Sequence, residues 1–118
     1  MSALFTQAQL EQLLANGRRQ DAVRGTAGEF DFPPVVKLFT PDAAATWLLT
    51  ELDADGDTAF GLCDLGLGFP ELGSVSLAEL RSVRGRFGLP VERDRFFEAT
   101  MPLSAYAEEA SRLGVIRV

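Results

Sequence analysis

Four carboxylates in one short stretch, Asp53, Asp55, Asp57 and Asp64, are the residues of this chain best spaced for chemistry. Counted from Asp53 they occupy positions 1, 3, 5 and 12 of a twelve-residue loop, with Phe60 at position 8. That resembles the oxygen-ligand pattern of a calcium-binding EF-hand. Two departures oppose it. Thr58 stands at position 6, where the sharp turn needs glycine, and Asp64 brings a shorter side chain to position 12, where a bidentate glutamate is usual. Asp55-Gly56 is also a strong hairpin dipeptide. The same residues therefore read as an acidic turn between two strands, without a metal.

A second cluster follows at once: Asp64, Gly66, Gly68, Phe69, Pro70, Glu71 and Gly73. Gly66-Leu67-Gly68 matches the start of a dinucleotide-binding glycine spacing, but the third glycine position is Glu71. Asp64 and Glu71, facing each other across a loop, can serve as general acid and base. Alternatively the two acids hold loop amides and the loop itself is a contact surface for a partner. A third cluster, Arg81, Arg84 and Arg86 with Arg93 and Arg95, is either an anion or nucleic-acid patch or a set of cations suited to a helix C-terminus. Cys63, inside an apolar run, reads as a small buried hydrophobe, and Trp47 as core.

Composition narrows the chemistry further. The chain has no histidine, which removes Ser-His-Asp and Cys-His nucleophilic sites, imidazole zinc sites and the usual general base near neutral pH. A single cysteine leaves no cysteine-based metal site and no internal disulfide, which fits a reducing compartment. A net charge of −6 argues against general affinity for nucleic acid or anionic membranes. The charge is uneven: residues 38–80 carry eight acids and no Lys or Arg, whereas residues 81–95 carry five arginines against Glu92 and Asp94. No run approaches a membrane span and the start of the chain lacks a leader pattern, so the expected location is the cytoplasm.

The elements that must position these residues are partly legible. At 118 residues one domain is expected. A capping box, Thr6 with Gln9, opens a helix over 6–16 that Asn16-Gly17 is expected to stop. Residues 17–34 read as a long mobile connection whose Phe30 and Phe32 tack its end to the core. Residues 35–40 form a strand. Thr40-Pro41-Asp42 can open either a helix or a hairpin, and residues 46–52 and 58–65 are strands around the acidic turn. Gly66 to Gly73 is then a loop, with a short strand or helix entry at Ser74-Val75. Ser76 and Glu79 cap a second helix with Leu77, Leu80 and Val83 inward, ending at Gly85. Residues 91–97 form a charged edge strand. Ser104 caps a last helix with Tyr106, Ala110 and Leu113 inward and Gly114 as its stop, and residues 115–118 form a terminal strand. The sum is α+β: an antiparallel sheet of about four to six strands with about three helices packed on it.

Two blocks, VVKLFTPDAAATWLLTELD (35–53) and FGLCDLGLGFPELGSVSLAEL (60–80), resemble a family of short bacterial proteins catalogued as domain of unknown function 2958. The resemblance implies a stand-alone cytoplasmic protein of a kind carried by plasmids and other mobile elements. It brings no activity with it, and it implies variation in the acidic turn, which weakens a shared metal site there. The expectation is a non-enzymatic protein-interaction module serving a mobile element, with the loop from Asp64 to Gly73 as its contact surface. The alternatives are a carboxylate-based calcium site or enzyme and an arginine-patch nucleic-acid binder.

Overall fold

Strand residues 46–52 are apolar on both faces, so the sheet they join must be covered on both sides. The computed structural model, which describes residues 4–118, solves this with helices above and below one sheet. Residues 1–3, part of the stretch searched for a leader, lie outside the described residues. In chain order the elements are α1 (Gln7–Asp21), β1 (Val36–Phe39), β2 (Thr46–Leu52), β3 (Thr58–Asp64), β4 (Glu71–Ser76), α2 (Leu77–Ser82), β5 (Glu92–Arg93) and α3 (Leu103–Leu113). The sheet is antiparallel throughout with strand order β4-β3-β2-β1-β5, an α+β architecture as expected.

Successive strand residues point to opposite faces. Val36, Leu38, Trp47, Leu49 and Ala59 pack with Leu13 of α1 and with Leu77 and Leu80 of α2. Leu48 and Leu62 pack on the other side with Leu103, Tyr106 and Ala110 of α3 and with Ile116. A bulge interrupts the β2–β3 ladder: Leu49 pairs with Gly61 and Glu51 with Phe60, leaving Thr50 as the extra residue. There the two backbones close in, and a Cβ on Gly61 would lie 1.9 Å from the Leu48 carbonyl oxygen. Only glycine fits that position.

The first helix departs most from expectation. Its capping box forms, with Gln9 N donating to Thr6 Oγ1 and Thr6 N donating to Gln9 Oε1. It then continues through Asn16-Gly17 to Asp21. Asn16 is buried and donates from Nδ2 to the Thr50 carbonyl at 2.9 Å. A Cβ on Gly17 would lie 2.2 Å from the Leu52 carbonyl oxygen. The Asn-Gly pair is thus the docking point of α1 on β2, and tertiary contact outweighs its tendency to end a helix. The connection consequently starts at residue 22. Gln20 grips it, donating from Nε2 to the Phe30 carbonyl and accepting from Phe30 N. Phe30 and Phe32 stack on each other beneath the Arg19 guanidinium instead of entering the core.

Other boundaries shift for local reasons. Thr40-Pro41-Asp42 turns a hairpin, closed by Ala45 N donating to Thr40 Oγ1. Strand β4 begins at Glu71, because pairing with β3 extends to Cys63 and shortens the preceding loop to residues 65–70. Helix α2 ends at Ser82, before Gly85. The edge strand shrinks to two residues, and residues 115–118 form no strand. Helix α3 begins at Leu103 after Pro102, and Asp31 from the far connection accepts from Ser104 N in place of a Ser104 cap. Gly114 does stop the helix, but Leu113 faces outward.

Alanine at Gly17 tests the docking geometry. At an exposed helical site Gly→Ala stabilises by roughly 1 kcal/mol. Here it is expected to destabilise by about 1–3 kcal/mol, because backbone must move to admit the methyl group. Urea denaturation midpoints of the two proteins measure the sign, and a higher midpoint for Gly17→Ala would refute the close packing.

Candidate functional site

The register places three connections at one end of the sheet. Phe39 pairs with Thr46, Thr46 with Asp64, and Phe39 with Glu92, while Cys63 pairs with Glu71. The β1–β2 turn (40–45), the β3–β4 loop (65–70) and the stretch leading into β5 (83–91) therefore lie side by side. The hairpin that carries the acidic turn (53–57) is at the opposite end.

Two aspartates tie this end together. Asp64 is 1% exposed, and its carboxylate accepts from Gly66 N at 2.8 Å and from Ile116 N at 2.9 Å. One side chain thus fixes the start of the loop and the chain after α3. Gly66 has φ +81° and a backbone pressed on Ala44, so a side chain there is excluded twice over. Asp42, in the β1–β2 turn, reaches into the stretch before β5 and accepts from Phe87 N at 2.6 Å and from Leu89 N at 3.3 Å. The three connections are held as one body, and two of them, the β3–β4 loop and the stretch before β5, turn large apolar side chains to solvent. Leu67 is 74% exposed, Phe69 78% and Phe87 78%; Leu65 and Leu89 are exposed as well.

Of the loop residues singled out in the sequence, Asp64, Gly66, Gly68, Phe69 and Pro70 lie in or at the border of this site. Glu71 and Gly73 belong to β4. The acid–base pairing of Asp64 with Glu71 does not form: Glu71 shares a face with Cys63, on the α1 side, and Asp64 points to the α3 side against Ile116. The sheet separates the two carboxylates. Asp42, Leu65, Leu67, Phe87 and Leu89 were not singled out. The available signal was an aromatic set among turn residues in both connections, Gly68-Phe69-Pro70 and Arg86-Phe87-Gly88.

The acidic turn is a working part of the fold. Asp55 Oδ1 accepts from Asp57 N and Thr58 N, which holds the Asp55 carboxyl below its usual range, the Thr58 amide being the larger cause. Asp57 accepts from Ser76 Oγ and Ala78 N and so joins the turn to the start of α2. Asp53 lies beside them, but Asp64 is at the far end of β3. Among the described residues no group of three or more His, Cys, Asp or Glu side chains is arranged to hold a metal ion. The turn also borders a groove of about 360 Å³ lined by Asp21, Arg24 and Glu51, where buried Glu51 accepts from Gln20 Nε2 and Arg24 Nη2.

The arginines divide between elements. Arg84 donates from Nη1 to the Arg81 and Val83 carbonyls, capping the end of α2. Arg81 and Arg86 are exposed beside it, and Arg93 and Arg95 lie on and after β5. Cys63 is half-buried, and burial pushes its thiol pKa up, which disfavours the thiolate. Trp47 is core.

A family model described as "Protein of unknown function (DUF2958)" matches residues 4–117. No curated protein and no solved structure matches the chain.

Two variants probe the aspartates. Asp64→Asn keeps one acceptor oxygen but turns an amide donor towards a donating backbone N–H. It is expected to lower stability by about 1–3 kcal/mol in urea denaturation; an unchanged midpoint would show that the buried carboxylate does not hold the two segments. Asp55 and Asp94 both have lowered carboxyl pKa values, the Phe96 amide being the largest cause at Asp94. Their contribution is present above the unfolded carboxyl value, near pH 4, and is lost as pH falls through the lowered one. Denaturation midpoints of Asp55→Asn should therefore fall less steeply with acidification than those of the wild type, and parallel profiles would contradict the assignment.

Proposed function

The chain belongs to the DUF2958 family, and we propose that it is a non-enzymatic protein-interaction module. It binds a folded protein partner through the three joined connections at one end of the sheet. The observation that carries this reading is the exposure of Leu67, Phe69 and Phe87 on loops whose backbones are pinned by Asp42 and Asp64. Large apolar side chains grouped in solvent mark interaction sites. Loops already fixed lose little conformational freedom when a partner docks. The resemblance to short bacterial proteins of plasmids and mobile elements directs the search for that partner to the cytoplasm and to the products of such elements. Two features weigh against the alternatives. The carboxylates Asp55 and Asp57 already accept from backbone amides, and Arg84 is engaged in capping a helix.

Affinity capture with the tagged chain, from an extract of a host carrying its gene and treated with nuclease, tests the reading. A partner retained by the wild type and lost by Leu67→Ser/Phe69→Ser is expected. Both substituted side chains are exposed, so the variant should unfold at the same temperature as the wild type. Loss of every partner on nuclease treatment, equal capture by the variant, or no capture at all would overturn the proposal.

A further inference from the structure

Away from the loop end, an open groove of about 500 Å³ runs between α3 and the segment that joins β5 to it. Its volume is within the ordinary range for ligand sites. Phe97, Met101 and Tyr106 form its floor and wall, and Phe96 stands at its rim, 93% exposed. That exposure is enforced locally. Asp94 Oδ1 accepts from Phe96 N at 2.8 Å, and Asp94 Oδ2 lies 3.2 Å from Lys37 Nζ, so the turn that carries Phe96 is anchored to β1. An aromatic ring held out in water by a braced turn is a preformed contact that the chain itself leaves unused.

The charged side chains that line the groove are all acidic, and a cation at its edge, Lys37, is taken up by Asp94 and the Val118 carbonyl. Glu98, on the joining segment, and Glu109, on α3, line it together with Asp94, and no arginine or lysine does. Neither the Glu98 nor the Glu109 side chain makes a hydrogen bond or ion pair with another described residue. Aromatic faces attract cations through their quadrupole, and guanidinium groups stack on them well. Two unanswered carboxylates beside such faces complete a receptor for a positively charged, flat or apolar-stemmed group.

We propose that this groove binds an arginine-bearing extended segment of a partner polypeptide, with a guanidinium against Phe96 and Phe97 and its charge answered by Glu98 and Glu109. The groove is open to solvent, so an occupant held also by neighbouring residues of an extended segment suits it better than an isolated cation. The site shares no residue with the loop end and does not depend on the function proposed for it.

Fluorescence anisotropy with a labelled, arginine-containing peptide of alternating Gly and Arg, titrated with the full chain, tests the proposal. Saturable binding is expected. Glu98→Gln/Glu109→Gln and Phe96→Ala should each weaken it about tenfold or more. A control with the same charge change elsewhere, Glu11→Gln/Glu79→Gln, should bind as the wild type does, and so should Leu67→Ser/Phe69→Ser. Comparable weakening in the Glu11/Glu79 control would show bulk charge attraction only and overturn the site. So would absence of binding, equal binding of a glutamate-for-arginine peptide, or displacement of the peptide by spermidine at concentrations below those of the peptide itself.

Discussion

Burial of the central strands on both faces is the constraint from which the rest of this structure follows. Leu48 and Leu49, neighbours on β2, are fully buried in opposite cores. An antiparallel sheet with one solvated face would leave one of them in water. Helices are therefore required on both sides, and the chain supplies α1 and α2 to one and α3 to the other. The closeness of that packing has a visible cost in side chains: Gly17 and Gly61 each lie where a methyl group would meet a backbone carbonyl.

Aspartate does the corresponding work outside the core. Asp31, Asp42, Asp55, Asp57, Asp64 and Asp94 each accept at least one backbone amide. Charge-assisted bonds of this kind are stronger than neutral ones, and each replaces a backbone–backbone bond that an irregular segment cannot make. Asp31 joins the long connection to α3, Asp57 joins a hairpin to α2, and Asp64 joins a loop to the end of the chain. Much of the acidity of the chain is thus structural. Glu98 and Glu109, by contrast, line the groove beside α3.

A division of surfaces results. One end of the sheet carries pinned loops with exposed leucine and phenylalanine, and the other carries the acidic hairpin. The groove beside α3 combines aromatic and acidic groups. Rigid backbone beneath exposed apolar side chains is the combination that favours docking with little loss of entropy. It is present both at Phe69 and Phe87 and at Phe96.

The sequence by itself determined the antiparallel α+β class, the strand at 46–52, the hairpin at Asp55-Gly56 and the capping box at Thr6. These depend on neighbours in the chain, through period-two burial, turn preference and reciprocal capping. It also picked out the loop after Asp64 through its glycines. Tertiary structure alone decided what the acids do, because an aspartate that holds a distant amide and one that binds a cation can have identical local sequences. Ile116 N lies 52 residues from Asp64 and Phe87 N lies 45 from Asp42, separations that no spacing rule encodes. The same applies to Asn16-Gly17, a stop signal in isolation and a docking point once Thr50 and Leu52 are placed against it. Contacts across the sheet also decided that Asp64 and Glu71 face away from each other, since alternation along β3 and β4 sends neighbours in sequence to opposite layers.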